Sequence, residues 1–144
     1  GPGTNDIRHR LGVFLFSPIT SALTATAFFM CASGAPYNVT TGSDDNADGV
    51  VNDRPPGVTR NSRRGSPYAA LDVRLIWRFF GGPRTQDGGS SRTQRSLSAY
   101  VSVQNALNRV NPSAYVGVVG SPLFGQAIAA GPMRRVELGI TAGF

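Results

Sequence analysis

The sequence predicts an all-β chain, an antiparallel meander of about five long strands. Three observations predict it. Apolar and polar residues alternate with period 2 in several runs, and no helical period lasts three turns. The runs are eleven or twelve residues long, where soluble strands average ~5–6 and membrane-crossing strands need ~9–11. The connections alternate short, long, medium, long, as in barrels that join strands by short turns on one side and long loops on the other. Together these describe an outer-membrane-type β-barrel segment, closed only with strands from other chains or a parent barrel.

The first run covers residues 6–16, where Ile7, His9, Leu11, Val13 and Leu15 alternate with Asp6, Arg8, Arg10, Gly12 and Phe14. Residues 17–21 form a short turn, in which Pro18 ends any ladder because it has no N–H. The second run covers 22–33. Leu23, Ala25, Ala27, Phe29 and Cys31 share a face, but the opposite face passes from Thr24 and Thr26 to Phe28 and Met30, so its register is weakly specified. The pattern is compatible with further strand through Tyr37, Val39 and Thr40, after which residues 41–67 form a long loop.

The run at 68–79 is the clearest internal strand. Ala69, Leu71, Val73, Leu75, Trp77 and Phe79 oppose Tyr68, Ala70, Asp72, Arg74, Ile76 and Arg78. Trp77, Phe79 and Phe80 gather at its end, where a transmembrane barrel carries an aromatic girdle. A soluble sheet with aromatics at the edge of its core is the plainer reading. Residues 81–95 are polar and turn-like, and 96–106 form the fourth strand, with Leu97, Ala99, Val101 and Val103 opposing Ser98, Tyr100, Ser102 and Gln104. A second long loop, 108–132, includes a short extra strand at 114–119. The last run is 133–144: Val136, Leu138, Ile140, Ala142 and Phe144 alternate with Arg135, Glu137, Gly139, Thr141 and Gly143. A terminal strand closing on an aromatic is what outer-membrane barrels carry.

Length favours a single domain over 1–144. All fourteen basic residues are arginine and the net charge is +6. They scatter over strands and loops with no aromatic-interleaved patch, so nucleic acid is not the expected partner. The single cysteine, Cys31, excludes an internal disulfide and a multi-cysteine metal site. It lies in an apolar strand pattern, and the lone histidine, His9, has no evident tie to it. No stretch approaches the ~20 apolar residues of a membrane-spanning helix. Gly1-Pro2-Gly3 opens no signal peptide, which implies a removed leader, a piece of a longer chain or a cleavage scar.

One stretch carries a recognisable chemical pattern. In Asp44-Asp45-Asn46-Ala47-Asp48-Gly49-Val50-Val51-Asn52-Asp53, oxygen-bearing side chains alternate as in a calcium loop. Asp44, Asn46 and Asp48 stand at the first, third and fifth positions, Gly49 gives the sharp turn, the Val50 carbonyl stands seventh and Asn52 ninth. The twelfth position is Pro55 instead of a bidentate glutamate, and Asp53 is the substitute ligand. Ca²⁺ is the expected ion. The alternative is an Asx-rich surface loop paired with Arg54, Arg63 and Arg64. Asp72 and Glu137 read as cross-strand charge partners. No nucleophile elbow or phosphate-binding glycine loop occurs, so no catalytic residue is assigned and no enzyme is expected.

In order along the chain, these residues resemble the C-terminal barrel portion of TonB-dependent transporters, closest to the Oar-like outer-membrane receptors with a carboxypeptidase-regulatory-like domain. Asp6-Ile7-Arg8-His9-Arg10 is similar to the opening of a late barrel strand, and Ser33-Gly34-Ala35-Pro36-Tyr37 to a Ser-Gly-x-Pro-Tyr motif at a strand's outer end. Residues 44–55 followed by Arg60-Asn61-Ser62 resemble the family's Asp-rich loop, and Val103-Gln104-Asn105-Ala106-Leu107-Asn108 its Asn-rich penultimate strand end. Ser121-Pro122-Leu123-Phe124-Gly125 and Phe144 complete the series. The resemblance implies a place in the bacterial outer membrane or at the cell surface. Transporters of this family close about 22 strands around a plug, and neither the plug nor the energy-coupling segment is seen here.

Five antiparallel strands cannot close in the usual way, since bacterial barrels start at ~8. Two edges therefore stay open. Their apolar residues are Ile7, Leu11, Val13 and Leu15 on one side and Val136, Leu138, Ile140 and Phe144 on the other. Two functions follow. In the first, a structural module pairs with copies of itself, by its edges or by strand donation, into an oligomeric barrel or extracellular fibre. In the second, the chain is the C-terminal part of a transporter barrel for ligand uptake, its edges covered by parent strands and its apolar face by lipid.

Overall fold

Alternating sequence becomes strand throughout. The computed structural model describes residues 1–81 and 95–144, and among them are nine strands and no helix. They are β1 (Arg10–Pro18), β2 (Leu23–Ala32), β3 (Pro36–Tyr37), β4 (Arg63–Arg64), β5 (Tyr68–Phe80), β6 (Ser96–Gln104), β7 (Pro112–Tyr115), β8 (Ala127–Ala130) and β9 (Arg135–Gly143). The five long strands form an open, mainly antiparallel sheet in the order β1-β2-β5-β6-β9. The expected meander is thus present. Most of the turn expected at 81–95 lies outside the described residues.

Two compact units divide the chain. The first comprises Gly1–Gly12, Met30–Ala69 and Arg109–Met133; the second comprises Val13–Phe29, Ala70–Asn108 and Arg134–Phe144.

In the second unit the register of the sheet sorts apolar and polar residues onto opposite faces. β6 pairs with β9 in unbroken register from Ser96↔Gly143 to Gln104↔Arg135, and with β5 from Val73↔Val103 to Phe80↔Leu97, with an irregularity between Arg78 and Phe80. These registers align whole rows on one face: Val73–Val103–Val136, Leu75–Val101–Leu138 and Trp77–Ala99–Ile140. That apolar face is exposed along β9 and at Trp77, with Val136 59%, Leu138 76%, Ile140 77% and Trp77 53% exposed, while Val73, Ala99, Val101 and Val103 are half-buried. The other face is polar and partly covered. Thr24 is buried and receives a hydrogen bond from Arg78 Nη2 at 3.2 Å, while the Arg74 guanidinium lies 4.1 Å from the Tyr100 ring centroid. Among the described residues the buried apolar side chains are Pro36, Val39 and Ala70.

The first unit is built differently, from short pairings and side-chain ties. β3 pairs with β4, β7 pairs with β8, and Thr40 bridges Val118 in parallel. The Tyr37 and Tyr115 rings stack at 5.1 Å and 14°. Asn111, 4% exposed, acts as a substitute strand partner: its Oδ1 accepts the Ala69 N–H and its Nδ2 donates to the Ala69 carbonyl, both at 2.9 Å.

Several boundaries differ from expectation for identifiable reasons. β1 begins at Arg10, not at 6, because Arg64 Nη1 bonds the Asp6 carbonyl and its Nη2 the Asp6 carboxylate. Ile7 is therefore outside the strand. β6 stops at Gln104, where Asn105 turns to φ +46° and its N–H goes to Asp72 Oδ1. The strand expected at 114–119 lies earlier, as β7, with β8 as an unforeseen partner. Residues 36–40 do not extend β2; Pro36 and Tyr37 pair instead with Arg64 and Arg63.

Gly139 tests the polar face. A Cβ there would run into the Tyr100 ring, pushing it from beneath Arg74. Gly139→Ala is expected to lower stability by about 1–3 kcal/mol, read by urea unfolding in detergent, and to become nearly neutral in a Tyr100→Ala background.

Candidate functional site

Two features are candidates: the bare sheet face with its open edges, and the Asp-rich loop.

The edges follow from the strand order. β1 and β9 each have one neighbour in the sheet, so each offers a row of backbone N–H and C=O groups outward. On β1 the predicted residues Leu11, Val13 and Leu15 are 54%, 39% and 62% exposed, and the other face is equally bare at Phe14 and Phe16. On β9 the predicted Val136, Leu138 and Ile140 are joined by Phe144, 88% exposed just past the strand. Ile7 alone does not belong, being half-buried ahead of β1.

Aromatics gather at one end of the second unit's sheet. Arg78 N donates to the Ala22 carbonyl, Phe80 pairs with Leu97 and Ser96 with Gly143. These pairings put Phe79, Phe80 and Phe144 at a common level. All three are more than half exposed, as is Trp77. Each such side chain leaves on the order of 100 Å² bare, so with Leu138 and Ile140 they exceed the ~300–600 Å² of the largest patch on an ordinary monomer. The aromatic cluster at the end of β5 was legible in sequence; the rows that connect it to β9 were not, because they depend on register.

The Asp-rich loop turns its oxygens inward. Asp44 Oδ1 accepts the Asp48 N–H at 3.0 Å and its Oδ2 the Gly49 N–H at 2.8 Å. Asn46 Oδ1 accepts the Asp48 N–H at 3.0 Å, and Asp48 Oδ1 the Val50 N–H at 2.8 Å. Asp53 Oδ2 takes the N–H groups of Asp45 and Asn46 at 2.6 and 3.0 Å, while its carbonyl accepts the Thr41 N–H at 2.8 Å. The Val50 carbonyl receives the Asn52 N–H at 2.9 Å. Ala47 and Gly49 have positive φ, +58° and +84°, which lets the backbone wind around the carboxylates.

Charge pairing here is not what the residue order suggests. Arg64 pairs with Asp6, and Arg135 with Glu137; among the described residues Arg54 and Arg63 form no ion pair with the loop. The Asp44, Asp48 and Asp53 carboxylates accept backbone N–H groups, and Asp48 Oδ2 accepts Asn46 Nδ2 at 3.0 Å. Glu137 thus pairs along its own strand, not across, and Asp72 serves Asn105. Among the described residues no group of three His, Cys, Asp or Glu side chains converges in a way that could hold a metal ion. The ligand set read from sequence also relies on Asn46, Asn52 and the Val50 carbonyl; the Asp44 oxygens each accept one N–H and keep a second lone pair, whereas Asp53 Oδ2 already accepts two N–H groups.

No protein-family model, curated protein or solved structure compared with this chain matches it.

The loop makes a local prediction. Asp53→Ala removes the acceptor of two N–H groups, and each lost bond costs about 1 kcal/mol. Hydrogen exchange at Asp45 and Asn46 is expected to quicken several-fold, with the β6–β9 amides unchanged.

Proposed function

We propose that the chain is a non-enzymatic wall segment of an outer-membrane-type β-barrel, with its apolar face in lipid and its edges β1 and β9 continued by further strands. The observation that carries this reading is the exposure of the second unit's sheet: its apolar rows are exposed at Leu75, Trp77 and along β9, and its polar face is partly covered. Nine paired residues at ~3.4 Å each, tilted by ~40°, rise about 23 Å, close to the ~25 Å apolar band of such barrels. The exposed aromatics at one strand end fit the membrane–water boundary.

The motif order makes a TonB-dependent transporter barrel the favoured parent, located in the bacterial outer membrane, with ligand uptake a property of the whole barrel. The other reading keeps the same edges but covers them with copies of this chain, as an oligomeric barrel or a cell-surface fibre. The two open edges support it equally. The bare apolar face favours lipid, because edge pairing in water would leave that face exposed.

Ca²⁺ belongs to the proposal as the ion of the Asp-rich loop, with Asp44, Asn46, Asp48, Val50, Asn52 and Asp53 supplying oxygens. Inward side chains tied at alternate residues support it. If the loop takes the ion, millimolar Ca²⁺ raises the melting temperature and protects the 44–53 segment from protease, and Asp48→Ala abolishes both effects. Unchanged melting and cleavage would leave the segment a self-capped loop.

The wall itself is tested by position. Leu138→Arg is expected to cost about 2–4 kcal/mol of folding into lipid vesicles, as a charge at mid-bilayer does, whereas Thr141→Arg on the polar face costs under about 1 kcal/mol. Equal tolerance of both, or a discrete monomer in detergent-free buffer, would overturn the lipid reading. Ordered filaments or rings in that buffer would establish the self-assembly reading.

A further inference from the structure

The first unit holds a cavity of about 420 Å³ where the start of β1, the end of β2 and the start of β5 come together. That volume lies within the ~300–1,000 Å³ of small-molecule sites. The surface facing it is mostly apolar, and it opens broadly to the outside. The small side chains of Cys31 and Ala69 share its lining with the larger Leu11, Pro67 and Tyr68. His9, Arg10 and Arg109 also border it, and all three are exposed.

The hydrogen bonds around the cavity close within the protein. Ser33 N donates to the His9 carbonyl at 2.9 Å, and His9 N donates back to Ser33 Oγ at 3.1 Å. Asn111 takes up both the N–H and the carbonyl of Ala69. Arg109 Nη2 donates to the Pro67 carbonyl at 3.1 Å. Among the described residues no buried side-chain nitrogen or oxygen lacks a partner. The lining therefore holds out no buried polar side chain for a ligand to satisfy. Ordered water needs several polar partners and fills an apolar site poorly, so hydrocarbon is the occupant that gains most by entering.

We propose that this cavity binds a saturated alkyl chain by its tail alone, with no demand on the head group. Affinity comes from apolar surface withdrawn from water, and the wide mouth leaves the head group in solvent. A polar ligand of the same size would lose its hydration without gaining partners. The wall reading rests on the second unit's sheet, whereas every residue lining this cavity belongs to the first unit, so either can fail alone.

Cys31 makes the test direct, being the chain's single cysteine, half-exposed and part of the lining. The rate of its alkylation by N-ethylmaleimide is measured on the full chain in a fluorinated non-ionic surfactant, whose tails mix poorly with hydrocarbon. The probes are decanol and decanoate at matched free concentrations, with ethanol and acetate as the same head groups on short tails. Decanol and decanoate are expected to slow alkylation saturably and alike, at least threefold, and ethanol and acetate to leave it unchanged. A Cys31→Ala chain carrying Leu138→Cys, on the exposed face of β9, shows no such slowing. Ala69→Leu fills the cavity and abolishes the probe effect at Cys31; if it loses its sheet signal by circular dichroism, Leu11→Trp, at an exposed position, replaces it. In phosphatidylcholine vesicles, a Cys31 rate already at the protected value, with nothing added by decanol, assigns the chain to a membrane lipid; further slowing by decanol assigns a free ligand. Protection by decanol or decanoate alone, equal protection by acetate or ethanol, equal slowing at the Leu138→Cys position, or no protection by any probe overturns the proposal.

Discussion

The structure depends on the hydrogen-bond ladder that joins β5, β6 and β9. Hydrophobic burial normally supplies most of the favourable free energy of folding, but here Pro36, Val39 and Ala70 are the buried apolar residues among those described. Backbone pairing fixes the sheet's geometry, and the apolar rows it aligns share one face, exposed at Leu75, Trp77 and along β9. Bare apolar area of this extent is unfavourable in water and calls for cover. Each open edge adds a second demand of the same kind.

The first unit meets its polar demands with side chains in place of long strands. Asn111 serves Ala69 at both N–H and C=O. Arg64 ties Asp6 to Gly34, and Asn61 donates its N–H to Asn38 Oδ1 and its Nδ2 to the Pro2 carbonyl. Tyr115 stacks on Tyr37 and accepts the Ser66 N–H with its hydroxyl. Buried polar groups need partners wherever a ladder is missing, and long irregular segments carry many such groups. The density of Asn, Asp, Arg and Tyr in this unit answers that need. The same economy explains the Asp-rich loop, whose carboxylates accept neighbouring N–H groups before any ion is considered.

Strand content was legible because alternation is local: each long run reads as strand from its own residues, and the observed ends fall within a few residues of the expected ones. Failures came where a distant partner decides. Ile7 leaves β1 because Arg64, remote in sequence, captures Asp6. β4 and β8 are too short to alternate, and each exists through its partner. Glu137 invited a cross-strand pairing, but its cross-strand neighbour is Ser102 and its ion pair is with Arg135. The loop at 44–53 was legible as a set of oxygen donors, because spacing alone defines them. That those oxygens accept N–H groups, and not Arg54 or Arg63, needed the fold.

The sequence by itself determined that the chain is all-β, which residues alternate, and which side chains share a face of each strand. Those properties follow from the pleat, in which neighbouring side chains point to opposite sides. Only the tertiary structure decided which face is bare. A strand pattern is symmetric in this respect, since apolar residues on one face serve a soluble core or a lipid wall equally well. Register then aligns Leu138 with Val101 and Leu75 on the exposed side, and places Tyr100 between Arg74 and Gly139 on the other. Direction, inward or outward, is a property of the assembled sheet, because it depends on what each face meets and not on any one strand.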